Sequence, residues 1–396
     1  MFCVFRRLCS NTLFVGALFP AIVFSQPEIQ EEWQEQWILV EDGSTINLPE
    51  GTFHFTRTLS LEGKKKIHIK GAGMGKTVLS FAGQIEGGEG VRITNSENIR
   101  LEGFTVLDTK GDGIKAQHVY DIQFLFVEAR WSGKPDKENG AYGLYPVQSQ
   151  RVLLYESKAY GASDAGLYVG QCEQVVVRKC HAERNVAGIE IENTTYADVV
   201  ENTATGNTGG ILVFDLPDLE KKRGGHVKVY KNKVIENNYK NFAPKGNIVG
   251  QVPPGTGIMV LATSDVQIYE NEITNNRTAG TAIMSYYVTE IPIKDESYDP
   301  YPARIYVHDN TYMRKKRWPI LKNKFGKLFL FKFGSKVPHI VYDGIQDETF
   351  VSPSTGRLLP EYEICIYNNT DETFANLDAG NRFKGLSRDL TLFRCQ

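Results

Sequence analysis

The chain has 396 residues, 41% of them hydrophobic and 23% charged, with 45 Lys and Arg against 47 Asp and Glu. That is an ordinary globular balance, and a formal charge of −2 excludes a global attraction to nucleic acid. The length is ample for a large core, and a solenoid need not split into domains as it grows.

In the first 25 residues, Arg6 and Arg7 precede an apolar run from Leu13 to Phe24, with no acid present. Val23 and Ser25 occupy the small-residue positions of a cleavage site. Residues 1–25 are thus predicted to be an export signal, with a mature chain beginning near Gln26 in the periplasm or outside the cell. The run falls short of the roughly 20 apolar residues a membrane helix needs, so no span is expected in the mature chain.

Residues 28–39 have helix-forming composition, with Trp33 and Trp37 one turn apart. Within an N-terminal cap over residues 26–43, this helix is expected to cover the open edge of the first coil. Strands are predicted at Ser44–Leu48, Gly51–Phe55, Lys66–Lys70, Val78–Phe81, Val91–Thr94 and Ile99–Val106. Gly71 to Thr77 looks like a phosphate loop, but Lys70 stands where the first glycine belongs, so a turn is predicted.

From Gly113 the chain repeats itself. A small-then-apolar pair returns at Gly113-Ile114, Gly143-Leu144, Gly166-Leu167, Gly188-Ile189, Gly210-Ile211, Gly257-Ile258 and Ala282-Ile283. A second column runs in step through Ser157, Cys180, Asn202, Asn232, Asn271 and Asn310. A period of about 22 residues, with short strands and no helix, is the size of one coil of a right-handed parallel β-helix. The fold class is therefore predicted to be all-β, a solenoid over residues 44–312. The asparagines are expected to form a ladder satisfying backbone groups at the corners.

Period-two reading turns Ile189 and Ile191 inward and Glu190 and Glu192 outward. One outward stripe then runs Lys115, Tyr145, Tyr168, Glu190, Leu212, Met259, Met284, beside a second with Gln117, Phe214, Leu261 and Tyr286. The first half is polar and aromatic, the second apolar. Excursions at Trp131–Ala141, Pro217–Gly225, Tyr239–Thr256 and Glu290–Arg304 can wall or cover this face.

Residues 313–336 carry nine Lys or Arg and no acid, interleaved with aromatics. Residues 313–396 are read as a C-terminal capping segment with its basic groups in solvent. Four cysteines follow the leader: Cys365 and Cys395 are a candidate staple for the tail, whereas Cys172 and Cys180 fit buried thiols and a bridge equally well.

The candidate chemistry lies on the outward stripe. Lys115, Tyr145, Tyr168 and Glu190 are candidate catalytic residues, with Gln117, Arg130, Asp215 and Tyr286 as sugar contacts. Asp108, Lys110 and Asp112 add polar capacity nearby. Stacked tyrosines about 4.8 Å apart match an extended sugar chain or simply stabilise the sheet. Glu190 and Glu192 are placed for acid–base work, for a hard cation such as calcium, or as solvated acids.

The repeat, the export signal and Gly71-x-Gly73…Thr77-Val78-Leu79 resemble the secreted right-handed parallel β-helix proteins of the pectate-lyase-like superfamily. Within it, Leu48-Pro49-Glu50-Gly51-Thr52-Phe53, Gly188 to Asn193 and Cys365-Ile366…Phe374 to Asp378 are similar to a bacterial group named for its parallel β-helix repeats. The resemblance covers essentially the whole mature chain and implies export and, for some members, a second exported protein as partner. The Asp-Pro-His segment of mannuronan epimerases is absent, and no catalytic residue is carried over.

Three functions follow as expectations. The first is a lyase or epimerase of an acidic polysaccharide, in which a cation or basic group neutralises the uronate carboxylate before the C5 proton leaves. The second is a non-catalytic binding or scaffold protein docking a partner on Leu212, Phe214, Met259, Leu261, Met284 and Tyr286. The third is a glycoside hydrolase using Glu190 and Asp215.

Overall fold

The computed structural model describes residues 26–315 and 318–395; the expected leader lies outside the described residues. Successive coils contribute short strands to three parallel sheets of eleven, ten and eleven strands, here sheets A, B and C. Sheet C carries Asp112–Gln117, Tyr142–Val147, Ala165–Gly170, Ala187–Glu192, Gly209–Phe214, Thr256–Leu261 and Ala279–Met284. Among the described residues no helix is long and apolar enough to cross a membrane.

The small-then-apolar pair of the repeat has a physical cause. Ile114, Leu144, Leu167, Ile189, Ile211 and Ile258 stand in register and fill the bore. The residue before each must be small because the coils meet there. A Cβ on Gly188 would lie 2.5 Å from the carbonyl oxygen of Gly210, and one on Gly210 would lie 2.6 Å from that of Gly257. At the last coil the repeat departs from expectation. Ile258 pairs with Thr281, so Ala282 rather than Met284 neighbours Met259. Thr281 hides the repeat because it is polar, yet it sits in the core bonded to the Tyr312 hydroxyl at 2.7 Å.

The expected asparagine ladder runs along the corner between sheets A and B. The side-chain oxygen of Asn232 accepts from both nitrogens of Asn202, and Asn271 and Asn310 repeat the pattern as far as Asn369. A second ladder of Asn185, Asn207, Asn237 and Asn276 holds the corner between sheets B and C. Cys172 and Cys180 are buried free thiols, and burial pushes both up to about 12. Cys365 and Cys395 are bonded, with Cα atoms 5.3 Å apart.

Helix α1 (Gln26–Leu39) closes the first coil, burying Trp33 and Trp37 against the bore. Its Gln30 and Gln34 accept backbone N–H groups of Thr56, Arg57 and Ser60, so side chains satisfy the open edge of sheet C. That edge strand, Arg57–Glu62, escapes the sequence reading. At the other end, the segment read as a cap also adds strands Ile340–Tyr342, Ile364–Tyr367 and Phe374–Asn376 to the sheets. Helix α2 (Lys324–Phe333) packs Phe329 and Phe333 over the end of sheet C.

Candidate functional site

The outward face of sheet C falls into three zones. The first is an open cleft of about 380 Å³ lined by Glu89, Arg92, Lys115, Gln117 and His118 among others. Arg92 and Lys115 are register partners, as are Lys115 and Tyr145, so one column carries two cations and then a phenol. The Lys115 ammonium is 4.0 Å from the Glu89 carboxylate and 5.2 Å from the centre of the Tyr145 ring. Gln117 donates to Gln148 at 2.7 Å, and Gln148 donates to Glu220 at 2.6 Å. The loop that carries Glu220 is thereby tied to this end of the sheet.

The second zone is a tyrosine cluster over buried acids. The rings of Tyr142, Tyr145 and Tyr168 lie 4.4 to 4.9 Å from one another. Tyr168 donates to Glu192 at 2.5 Å, and Asn247 donates to Asp164 at 2.7 Å. Glu190 is 1% exposed, and its Oε2 has no hydrogen-bond partner. Burial raises the pKa of all three carboxyls, and the neighbouring acids Asp164 and Glu192 add to the rise at Glu190. These acids hold protons well above the usual carboxylate range.

Asp112 sits where the first two zones meet. Its Oδ1 accepts the Tyr142 backbone N–H at 3.1 Å. Burial lifts it to about 7; the Tyr142 bond and the Lys115 charge pull it down, while the Glu89 charge pushes it up. Tyr145 is raised above the ordinary phenol range by burial and then by the nearby Asp112. A carboxyl able to take a proton near neutrality thus neighbours a phenol that keeps its own.

The third zone is apolar and covered. The Tyr239–Thr256 excursion lays Phe242, Val249 and Val252 over Leu212, Phe214, Met259 and Leu261, within one buried cluster. The excursion after Tyr286 adds Tyr298, whose hydroxyl donates to the Asp215 carbonyl at 2.6 Å. Lys222 of the Pro217–Gly225 excursion and Asp295 of the excursion after Tyr286 pair at 2.6 Å.

The sequence pattern described as "Right handed beta helix region" matches residues 79–220 and 138–311, more than half of the chain. The chain belongs to this right-handed β-helix family. Among solved structures, the A-module of mannuronan C-5 epimerase AlgE6 from Azotobacter vinelandii is similar, with a TM-score of 0.55 and 17% identity. The match covers 87% of this chain and 90% of that one. PfbA, a surface adhesin of Streptococcus pneumoniae, gives a TM-score of 0.52 at 11% identity, covering 79% of this chain and 78% of that one. At such identities the likeness shows the shared fold. No curated protein sequence matches the chain.

On this β-helix several expected site residues stand elsewhere than the stripe suggested. Lys115 and Gln117 are half-exposed and line the cleft, Tyr145 is half-exposed on the next coil beside it, but Tyr168 is only 4% exposed and, like Glu190, does not face an open groove. The reading of Glu190 and Glu192 as solvated acids fails because the tyrosines and loops cover them. Arg130 lies on sheet B, beside Glu128 and Tyr160, away from the sheet C face. Asp215 is buried and accepts the Gly224 N–H with both oxygens, which shapes a loop rather than a sugar site. Tyr286 is buried against Tyr298.

Among the described residues no group of three or more His, Cys, Asp or Glu side chains is arranged to hold a metal ion. Glu192 is also engaged by Tyr168. The Glu190–Glu192 pair therefore does not fit a calcium shell of six to eight oxygens, and no step below passes through one. The placement of Asp112 and Tyr142 escaped the sequence reading: each directly precedes the glycine of its coil, where a two-residue period counted back from Lys115 or Tyr145 points inward, but the alternation breaks at the glycine and both are half-exposed. Asp164 sits on a corner, outside the strand periodicity.

Proposed function

We propose that this β-helix protein acts on an acidic polysaccharide lying along the open end of sheet C, by a proton transfer of the lyase or epimerase kind. The observation that carries this reading is a juxtaposition at the edge of the cleft: Lys115 lines it, Tyr145 is the register partner of Lys115 on the next coil, and Asp112 starts the same strand as Lys115. The cations Arg92 and Lys115 meet the uronate carboxylate, which lowers the cost of developing charge when the C5 proton departs. Asp112, ionised in part near neutrality, accepts that proton. Tyr145 stays protonated and serves as the acid, toward the glycosidic oxygen in elimination or toward C5 in epimerisation.

The other expectations lose their support. The apolar docking stripe is covered by the protein's own loops, so a second exported protein would have to use another surface. The Glu190–Asp215 pair of a hydrolase is enclosed, with Asp215 committed to Gly224. A fold shared with an epimerase module and an adhesin does not choose between catalysis and binding.

The test incubates the purified mature protein with alginate, pectate and glycosaminoglycans, with calcium and with a chelator. Ultraviolet absorbance reports the conjugated uronate of elimination, and deuterium incorporation from heavy water reports exchange at C5. A signal on one polymer that Lys115→Ala abolishes supports the reading. Silence in both readouts across the panel overturns it.

A further inference from the structure

A second cleft, of about 540 Å³, opens at the far end of the solenoid, where the chain leaves sheet B at Met313 and re-enters sheet C at Ile340. Arg314, Lys315, Lys336, Arg388 and Arg394 line it together with His339. The one carboxylate in the lining, Glu372, is already taken: Arg394 pairs with it at 2.5 Å and the Asn369 amide donates to it at 2.9 Å. Five cations thus share a cleft with one engaged acid.

Arg314 is the unusual member. Its terminal nitrogens donate to the carbonyls of Val337 and Pro338 at 2.9 and 3.3 Å, and its Nε is enclosed with no hydrogen-bond partner. Burial pulls its pKa down to about 10, and among the described residues no neighbouring carboxylate offsets that loss. His339, 3.4 Å from the guanidinium, is pushed down to about 4 by burial and by Arg314, and so stays neutral at ordinary pH. A half-buried guanidinium with an enclosed, unpaired Nε and no counter-charge is costly unless an anion completes it. Arg388 is held at the rim, its guanidinium 5.1 Å above the Phe333 ring.

We propose that this cleft is an oxyanion-binding site, with Arg314 at its base and Lys336 and Arg388 at its rim, that takes a sulfate, phosphate or carboxylate group. The planar fork of a guanidinium suits such a group, and each charge-assisted bond strengthens where water is excluded. The site is separate from the sheet C cleft and does not depend on the activity proposed there.

The test is calorimetric titration of the full mature chain with sodium sulfate, sodium phosphate and a short oligouronate, each against sodium chloride at matched ionic strength. Saturable binding above the chloride control is expected, weakened about tenfold or more by the double variant Lys336→Ala/Arg388→Ala. Both residues are exposed, so this variant should keep the fold; Arg314→Lys tests the base of the site separately. Lys115→Ala should leave the sulfate and phosphate affinities unchanged, which separates this site from the other. In the Lys115→Ala background, oligouronate binding that is tighter than sulfate binding and is lost in Lys336→Ala/Arg388→Ala assigns the site to carboxylates carried on a glycan, and the reverse order assigns it to a free inorganic anion. Binding indistinguishable from chloride, or unchanged in the double variant, overturns the proposal.

Discussion

The Tyr168 hydroxyl donates to Glu192 across 2.5 Å inside a shell that also encloses Glu190 and Asp164. Glu190 and Glu192 are thereby kept from water on the outward face of a sheet, where sequence periodicity alone places them in solvent, and Asp164 is enclosed beside them at the corner.

Their protonation makes stability fall with rising pH. Each folded-state pKa lies above its unfolded value, near 3.8 for Asp and 4.5 for Glu, so the native state holds extra protons. That contribution is fully present below the unfolded values and is lost as pH rises through about 7. Glu190→Gln, which removes a titrating group whose Oε2 has no partner, should raise the unfolding free energy at pH 8 more than at pH 5, by an amount on the order of 1 kcal/mol or more, read from urea denaturation at the two pH values. Equal shifts at both pH values would show that Glu190 is not held protonated.

If Asp112 is the base, activity on the responsive polymer should climb as pH passes its pKa of about 7. Asp112→Asn should cost roughly 10²–10⁴-fold in kcat and abolish that limb of the profile. A variant that loses activity yet keeps the wild-type pH profile would demote Asp112 to a structural residue.

Asn207 ties three coils together. Its side chain accepts from both nitrogens of Asn185 and donates to Ala182 and to Asn237. Asn207→Ala leaves several enclosed backbone and amide groups unpaired, and urea denaturation should show a loss of about 2–4 kcal/mol. A loss below about 1 kcal/mol would mean that water replaces the ladder.

The Tyr239–Thr256 excursion acts as a cover. Replacing residues 240–252 by a short Gly-Ser linker should uncover Leu212 and Met259, raise binding of a hydrophobic dye and promote self-association. Unchanged dye binding with an intact fold would show that the remaining loops suffice.

What the sequence carried was the part of the structure made by nearest-neighbour stacking. Glycines recur because backbones touch, Ile and Leu recur because they fill one bore, and each coil repeats that constraint. The second ladder was present in the same way: Asn185, Asn207, Asn237 and Asn276 lie 22, 30 and 39 residues apart, and the 30 and 39 recur between Asn202, Asn232 and Asn271. Thr281 broke the pattern because its partner, the Tyr312 hydroxyl, comes from another sheet.

By itself, then, the sequence determined which side chains point into the coil and which point out from the glycine of each repeat onward. Only the tertiary structure decided which outward residues meet solvent. Lys115 and Glu190 occupy equivalent outward positions in different coils, yet one lines a cleft and the other is sealed. The difference is made by excursions that break the repeat and fold back across neighbouring coils. Where they land depends on contacts such as Asn247 with Asp164 and Gln148 with Glu220, formed between residues far apart in the chain. Stacking energy is local and periodic, so a sequence shows it; loop placement is set by non-local packing, which no period encodes.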